Sequence, residues 1–250
     1  MEISQIAVSP CSNPEMDLDA VLEAYSSIGY ENFEVFTGWA NSAFDYHSNP
    51  ARYLEKGKEY GMNFISLHLP PMQGDDMRDS LAEAVEAARF AEAIGAEIVL
   101  YKADARSTYI EAAPSFLDAI EELDITPVIQ NHFGTPLTSL EDVKEVWEGI
   151  DDPRMRALLE VGHFHSAGVH WLDAAEYLGD GIALVHIKDQ IGQQSVPFGG
   201  GEIDLPGLFE RMDSEDYGGY YVVEMEVEDE ENTLTYLSDA YRYMRQHCRR

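Results

Sequence analysis

The chain has 250 residues, 45% of them hydrophobic, which is enough for one full-sized globular core. Its 47 acidic residues face 16 basic ones, for a net charge of −31. That balance repels nucleic acid and anionic membrane. No stretch approaches the roughly 18–20 consecutive apolar residues of a membrane span, and the opening MEISQIAVSP lacks the basic and long apolar regions of a secretory signal. Cys11 and Cys248 stand far apart and form no CxxC motif, so two isolated thiols in a reducing cytoplasm are expected. The carboxylates are dispersed along every amphipathic segment and lysine is scarce. Such a surface suits a cytoplasm with molar salt, where screening removes self-repulsion.

In chain order, short apolar runs alternate with 3.6-residue patterns about eight times. A strand at Ile3–Val8 precedes a helix at Asp17–Ile28, and Phe33–Phe36 precedes Pro50–Tyr60. Phe64–Leu69 leads into the Ala- and Glu-rich Asp76–Ile94, and Ile98–Tyr101 into Thr108–Leu123. Pro127–Asn131 is followed by Ser139–Gly149, for which Thr138-Ser-Leu-Glu141 offers a capping box. Ala157–Glu160 precedes Val169–Leu178, Ile182–Ile187 precedes Leu205–Met212, and Tyr220–Glu224 precedes Asn232–Gln246. Gly29, Gly61 and Gly95 sit where helix-ending glycines are expected. Eight β/α units with near-continuous apolar strands and no compositional break predict an α/β fold, a single (β/α)8 TIM barrel over residues 1–250. An open doubly wound sheet is the alternative, but no GxGxxG or GxxxxGK[ST] phosphate loop is present.

Four of these runs end in chemistry-bearing side chains, and the C-terminal ends of parallel strands are where such barrels work. Alternate residues of a strand share a face. Counting by twos groups Val128 with Gln130 and His132, Leu158 with Glu160, Leu184 with His186 and Lys188, and Val222 with Glu224. Ser66 and His68 end the third strand, and Leu100 and Lys102 the fourth. If these sets point inward, Gln130, Glu160, His186 and Glu224 converge at the mouth. That oxygen-rich set with one nitrogen suits one divalent metal ion, Mn²⁺, Co²⁺, Mg²⁺ or Zn²⁺. Taken singly, each member has an ordinary reading as a satisfied polar residue. Four at four strand ends point to a site.

In order and spacing, these motifs resemble the xylose-isomerase-like barrel superfamily, which includes sugar phosphate isomerases and epimerases, inosose dehydratases and the endonuclease IV type. The resembling features are Gln130-Asn131-His132 with Gly134 and Ser139-Leu-Glu-Asp142, Glu160-Val-Gly-His163, His186-Ile-Lys-Asp189, Gly199-Gly-Gly-Glu-Ile-Asp204, Tyr217-Gly-Gly, and the strand ending in Glu224. Glu34 and His68 also match family positions. The resemblance implies a metal held at positions 130, 160, 186 and 224, with His163 and His68 near the substrate. Two departures stand out. Gln130 replaces a glutamate that in the epimerases binds metal and moves a proton, and Glu160 replaces an aspartate. An amide can ligate a metal but cannot act as a base near neutral pH.

These residues predict a metal-dependent sugar isomerase or epimerase working through an enediolate. Glu224 is the expected proton-transferring carboxylate, and His68, Lys102, His163 or Lys188 the second proton carrier. The alternative is a lyase or dehydratase on a keto-sugar or polyol, which tolerates loss of one carboxylate; a barrel that only binds sugar is a third reading. Glu34, Trp39 and His132 are expected to line the substrate, and Trp39, Phe44 and Tyr46 to offer rings for stacking. The expected partner is a small sugar, not nucleic acid or membrane, and a homo-oligomer is left open.

Overall fold

In the computed structural model, which describes residues 1–249, eight parallel strands close into a barrel. They are β1 (Ile6–Val8), β2 (Asn32–Val35), β3 (Asn63–His68), β4 (Ile98–Tyr101), β5 (Thr126–Gln130), β6 (Arg156–Glu160), β7 (Ile182–Ile187) and β10 (Tyr220–Val223). Each pairs with its neighbour in sequence, and β10 closes on β1. A short antiparallel hairpin, β8 (Asp189–Ile191) and β9 (Gln194–Val196), stands outside the ring. The helices are α1 (Leu18–Ile28), α2 (Ala51–Tyr60), α3 (Met77–Ala93), α4 (Arg106–Ala119), α5 (Leu140–Ile150), α6 (Val161–Ser166), α7 (Trp171–Leu178), α8 (Leu205–Ser214) and α9 (Thr233–Gln246). No helix is long and apolar enough to cross a membrane among the described residues.

The caps follow from local chemistry. Asp17 accepts from the Ala20 amide at 2.9 Å to start α1, and Gly29 ends it at φ 117°, a conformation that only glycine adopts without strain. The capping box of α5 lies one residue beyond the expected start. Ser139 is the cap, and Asp142 returns a bond to the Ser139 amide at 2.8 Å. The first strand is shorter than expected, because Ile3–Gln5 forms a 3-10 turn.

Alternation along the strands builds two cores. Outward side chains pack beneath the helices. Inward, Ala7, Ile65, Ile98, Leu100, Val128, Leu158, Leu184 and Val222 form a dry plug, each large aliphatic member contributing about 1.5–3 kcal/mol by burial. One turn further along the strands, the same rows become polar. A register shift between β2 and β3 matches Glu34 with Ser66 and skips Ile65. At this bulge Ile65 joins the plug while the Ser66 hydroxyl donates to Glu34 Oε2 at 2.9 Å.

Candidate active site

Above the plug opens a cavity of about 570 Å³, lined among others by His68, Lys102, Gln130, His163, Lys188 and Glu224. The geometry divides these residues differently from strand-end order. Glu34, His186 and Glu224, all buried, bring ligand atoms within 4.8 Å of one another. Glu34 Oε2 lies 2.9 Å from His186 Nε2, and His186 Nδ1 lies 3.1 Å from Glu224 Oε1. Glu34, expected beside the substrate, is therefore at the centre of the polar floor. Glu160, expected with the ligands, caps α6 instead, accepting from the amides of Gly162 at 3.0 Å and His163 at 3.1 Å. Strand-end position brings both carboxylates to the mouth, but α6 begins at once after Glu160 and its unpaired amides capture that side chain. Gln130 lines the cavity with its amide unbonded among the described residues.

The donor set suits a divalent cation. Glu34 Oε1, His68 Nε2, His186 Nδ1 and Glu224 Oε2 are buried without an aligned hydrogen-bond partner. Yet His68 Nε2 stands 3.0 Å from Glu34 Oε1, and Lys188 Nζ 2.9 Å from Glu224 Oε2. These buried groups are matched in charge but poorly aligned as hydrogen bonds, which leaves lone pairs that a cation could engage. Two carboxylates and an imidazole, with the Gln130 amide nearby, fit an oxygen-preferring or borderline divalent ion.

Charge is distributed unevenly around this floor. Burial opposes ionisation of Glu34 and Glu224. The imidazoles of His186 and His68 nevertheless hold Glu34 well below the usual carboxylate range, and Lys188 and His186 do the same for Glu224. Burial works against a charged His186 as well, but Glu34 and Glu224 raise it to about 10. On one wall, burial lowers Lys102 to about 8, and its Nζ sits 2.6 Å from His68 Nδ1. Burial and Lys102 together lower His68 to about 4. On the other wall, Lys188 is buried and pairs with Glu224 and Glu226. Despite burial, Glu224, Glu160 and Glu226 hold it charged. His163, 3.5 Å from both Lys188 Nζ and Glu160 Oε2, is pushed down to about 2 by burial and Lys188. Burial raises Glu160 to about 7, with Lys188 opposing.

The remaining candidates sit at the rim. His132 is exposed and packs over His163 at 3.8 Å between ring centroids. Trp39 is 69% exposed at the cavity mouth, and Tyr46 also lines it. Phe44 does neither; it is buried and stacked on Tyr53, a core residue of the loop. Several contributors were given no role of their own in the sequence reading. Phe36 stacks on His68 with centroids 4.0 Å apart. Asn131 clamps the Glu160 backbone, donating to its carbonyl at 2.9 Å and accepting from its amide at 3.0 Å. Asp189 accepts from the Gly199 and Gly201 amides at 2.8 and 2.9 Å, which ties the glycine run to β8. The spacing of Asp189 to Gly199-Gly-Gly was the available signal for that tie.

A family model, the xylose isomerase-like TIM barrel, matches residues 22–247. An inosose dehydratase of Geobacillus thermodenitrificans is 26% identical over 151 residues, 52% of this chain and 51% of that protein. One from Clostridium perfringens is 25% identical over 140 residues, 48% and 47% of the two chains. The chain thus spans about half the length of the curated relatives it matches. Among solved structures, the IolI protein with a binding zinc atom superposes with a TM-score of 0.80 at 14% identity, covering 97% of each chain. The probable 3-DHS dehydratase AsbF from Bacillus anthracis gives 0.79 at 12% identity, over 98% of this chain and 99% of that one.

Proposed function

The chain belongs to the xylose isomerase-like TIM barrel family, and from that premise we propose that it is a metal-dependent lyase that removes water from a keto-sugar or keto-polyol. Glu34, His186 and Glu224, with the Gln130 amide, would hold a divalent cation, which supplies Lewis-acid polarisation of a ketone. The observation that carries the reading is Lys102: an amine lowered to about 8, facing the cavity and tied to no carboxylate. Such an amine takes a proton from the carbon beside the ketone near neutral pH. Glu224, held ionised by Lys188 and His186, is a weak base and serves better as a ligand. Lys188, kept charged by its carboxylate neighbours, stabilises negative charge developing on the substrate. On the opposite wall His163 lines the cavity, and behind it Glu160, raised to about 7, would supply through His163 the proton returned to the departing hydroxyl. One proton is taken, one is given back, and water leaves.

Two further observations support this reading. Gln130 removes the second carboxylate of the epimerase pair, and the curated relatives are inosose dehydratases. Among the described residues no arginine lines the cavity and Lys188 is already matched by Glu224 and Glu226, so an unphosphorylated substrate fits best. Isomerisation or epimerisation is the second reading, because Lys102 and His163 face the cavity from different walls and could exchange protons on two faces of one carbon. Incubating metal-loaded protein with an inosose and with ketohexoses in D₂O separates the two. Loss of one water from the substrate mass supports the lyase. Deuterium in an isomer of unchanged formula, with no water lost, overturns it.

A further inference from the structure

Next to the main cavity, and sharing His163, Lys188 and Glu226 with it, lies a second, smaller cavity of about 200 Å³. Its far side is the β8–β9 hairpin, the end of α6 and Phe133 from the loop after β5. At about 30 Å³ of liquid volume per water, it has room for roughly six or seven waters, the size of one small hydroxylated ring. Away from that shared edge the lining is mostly neutral and polar. Ser166, Gln190, Gln194 and Ser195 bring hydroxyls and amides, and Phe133 shows 39% of its surface.

Two polar groups there are unspent. The Ser195 hydroxyl is buried, at 7% residue exposure, and has no hydrogen-bond partner among the described residues. A buried hydroxyl without a partner is expensive to keep unless something else bonds to it. Gln190, 5% exposed, accepts from Ser166 Oγ at 3.2 Å through its side-chain oxygen, which leaves its amide hydrogens for another acceptor. Of the charged side chains lining the annex, Lys188 and Glu226 pair with each other. Neutral donors and acceptors beside an aromatic face suit a polyhydroxylated ring, not a phosphate or a carboxylate.

We infer that this annex is a second carbohydrate subsite, taking a sugar ring joined to the ring that reacts in the main cavity. The inference rests on the sugar-enzyme reading of that cavity and narrows the substrate class to a keto-sugar or keto-polyol carrying a glycosyl substituent. Calorimetric titration of the intact protein with trehalose and with methyl α-glucoside tests it. Wild type should bind the disaccharide about tenfold more tightly, a difference of about 1.4 kcal/mol. Ser195→Trp, which fills the annex, should bring the two within about twofold, and Gln190→Ala should reduce the preference without adding bulk. Thermal melting of both variants confirms that they are folded. Equal affinity of wild type for the two sugars, no binding of the disaccharide, or a preference that survives Ser195→Trp overturns the inference. Water loss from an unglycosylated inosose by wild type reports separately on the main cavity. Turnover without disaccharide preference removes the annex alone, and preference without turnover removes the catalytic reading alone.

Discussion

The two walls of the cavity carry the same residue type and use it in opposite ways. Just past β4, Lys102 pairs with no carboxylate among the described residues, only with the imidazole of His68, and burial lowers it to about 8. Just past β7, Lys188 is buried more deeply still but sits among Glu224, Glu226 and Glu160, and stays charged. Burial penalises both ammonium groups; the neighbours decide the outcome. One wall therefore holds an amine that loses its proton easily and the other a fixed charge, with His186 and Glu34 on the floor between them.

The largest expected effect comes from breaking the fixed charge. Lys188→Met strands Glu224 and Glu160 without their cation and should cost about 3–5 kcal/mol of stability, read as a lowered denaturation midpoint. Lys102→Met should do the reverse. It removes an unpaired buried charge, so stability stays level or rises, while kcat falls about 10²–10⁴-fold. The pH profile sharpens the contrast. Since the free amine is the acting form, kcat/KM should rise as pH increases through about 8 and flatten above it, and Lys102→Met should erase that limb. A smaller effect is expected at Gly162. A Cβ there meets Lys188 Cβ at 2.9 Å, so Gly162→Ala should cost about 1–3 kcal/mol by overpacking. The smallest belongs to the rim. Trp39 holds φ 70°, so Trp39→Gly should leave stability unchanged or raised while KM increases about two- to tenfold through loss of one aromatic contact.

Much of this was legible in residue order. Apolar runs located all eight barrel strands, and counting by twos placed Leu100, Val128, Leu158, Leu184 and Val222 in the inner plug, with their polar followers above it. The short elements were not legible. The helix Val161–Ser166 and the hairpin Asp189–Val196 are too brief to show a period. Nor does strand alternation say which of the polar ends will touch. Glu34 reaches His186 across the barrel from β2. Glu160, directly paired in register with His186, turns away to cap a helix that residue pattern did not reveal. Convergence at the mouth follows from alternation, but the choice of partners follows from side-chain reach and from which amides need a cap.

That choice is open to direct test. Metal content and affinity, measured by mass spectrometry and calorimetry on wild type, Glu34→Gln and Glu160→Gln, bear on it without reference to any substrate. Glu34→Gln should lose the divalent ion, and Glu160→Gln should keep it near wild-type affinity. Retention by Glu34→Gln with loss by Glu160→Gln would contradict the floor of Glu34, His186 and Glu224 as the metal centre.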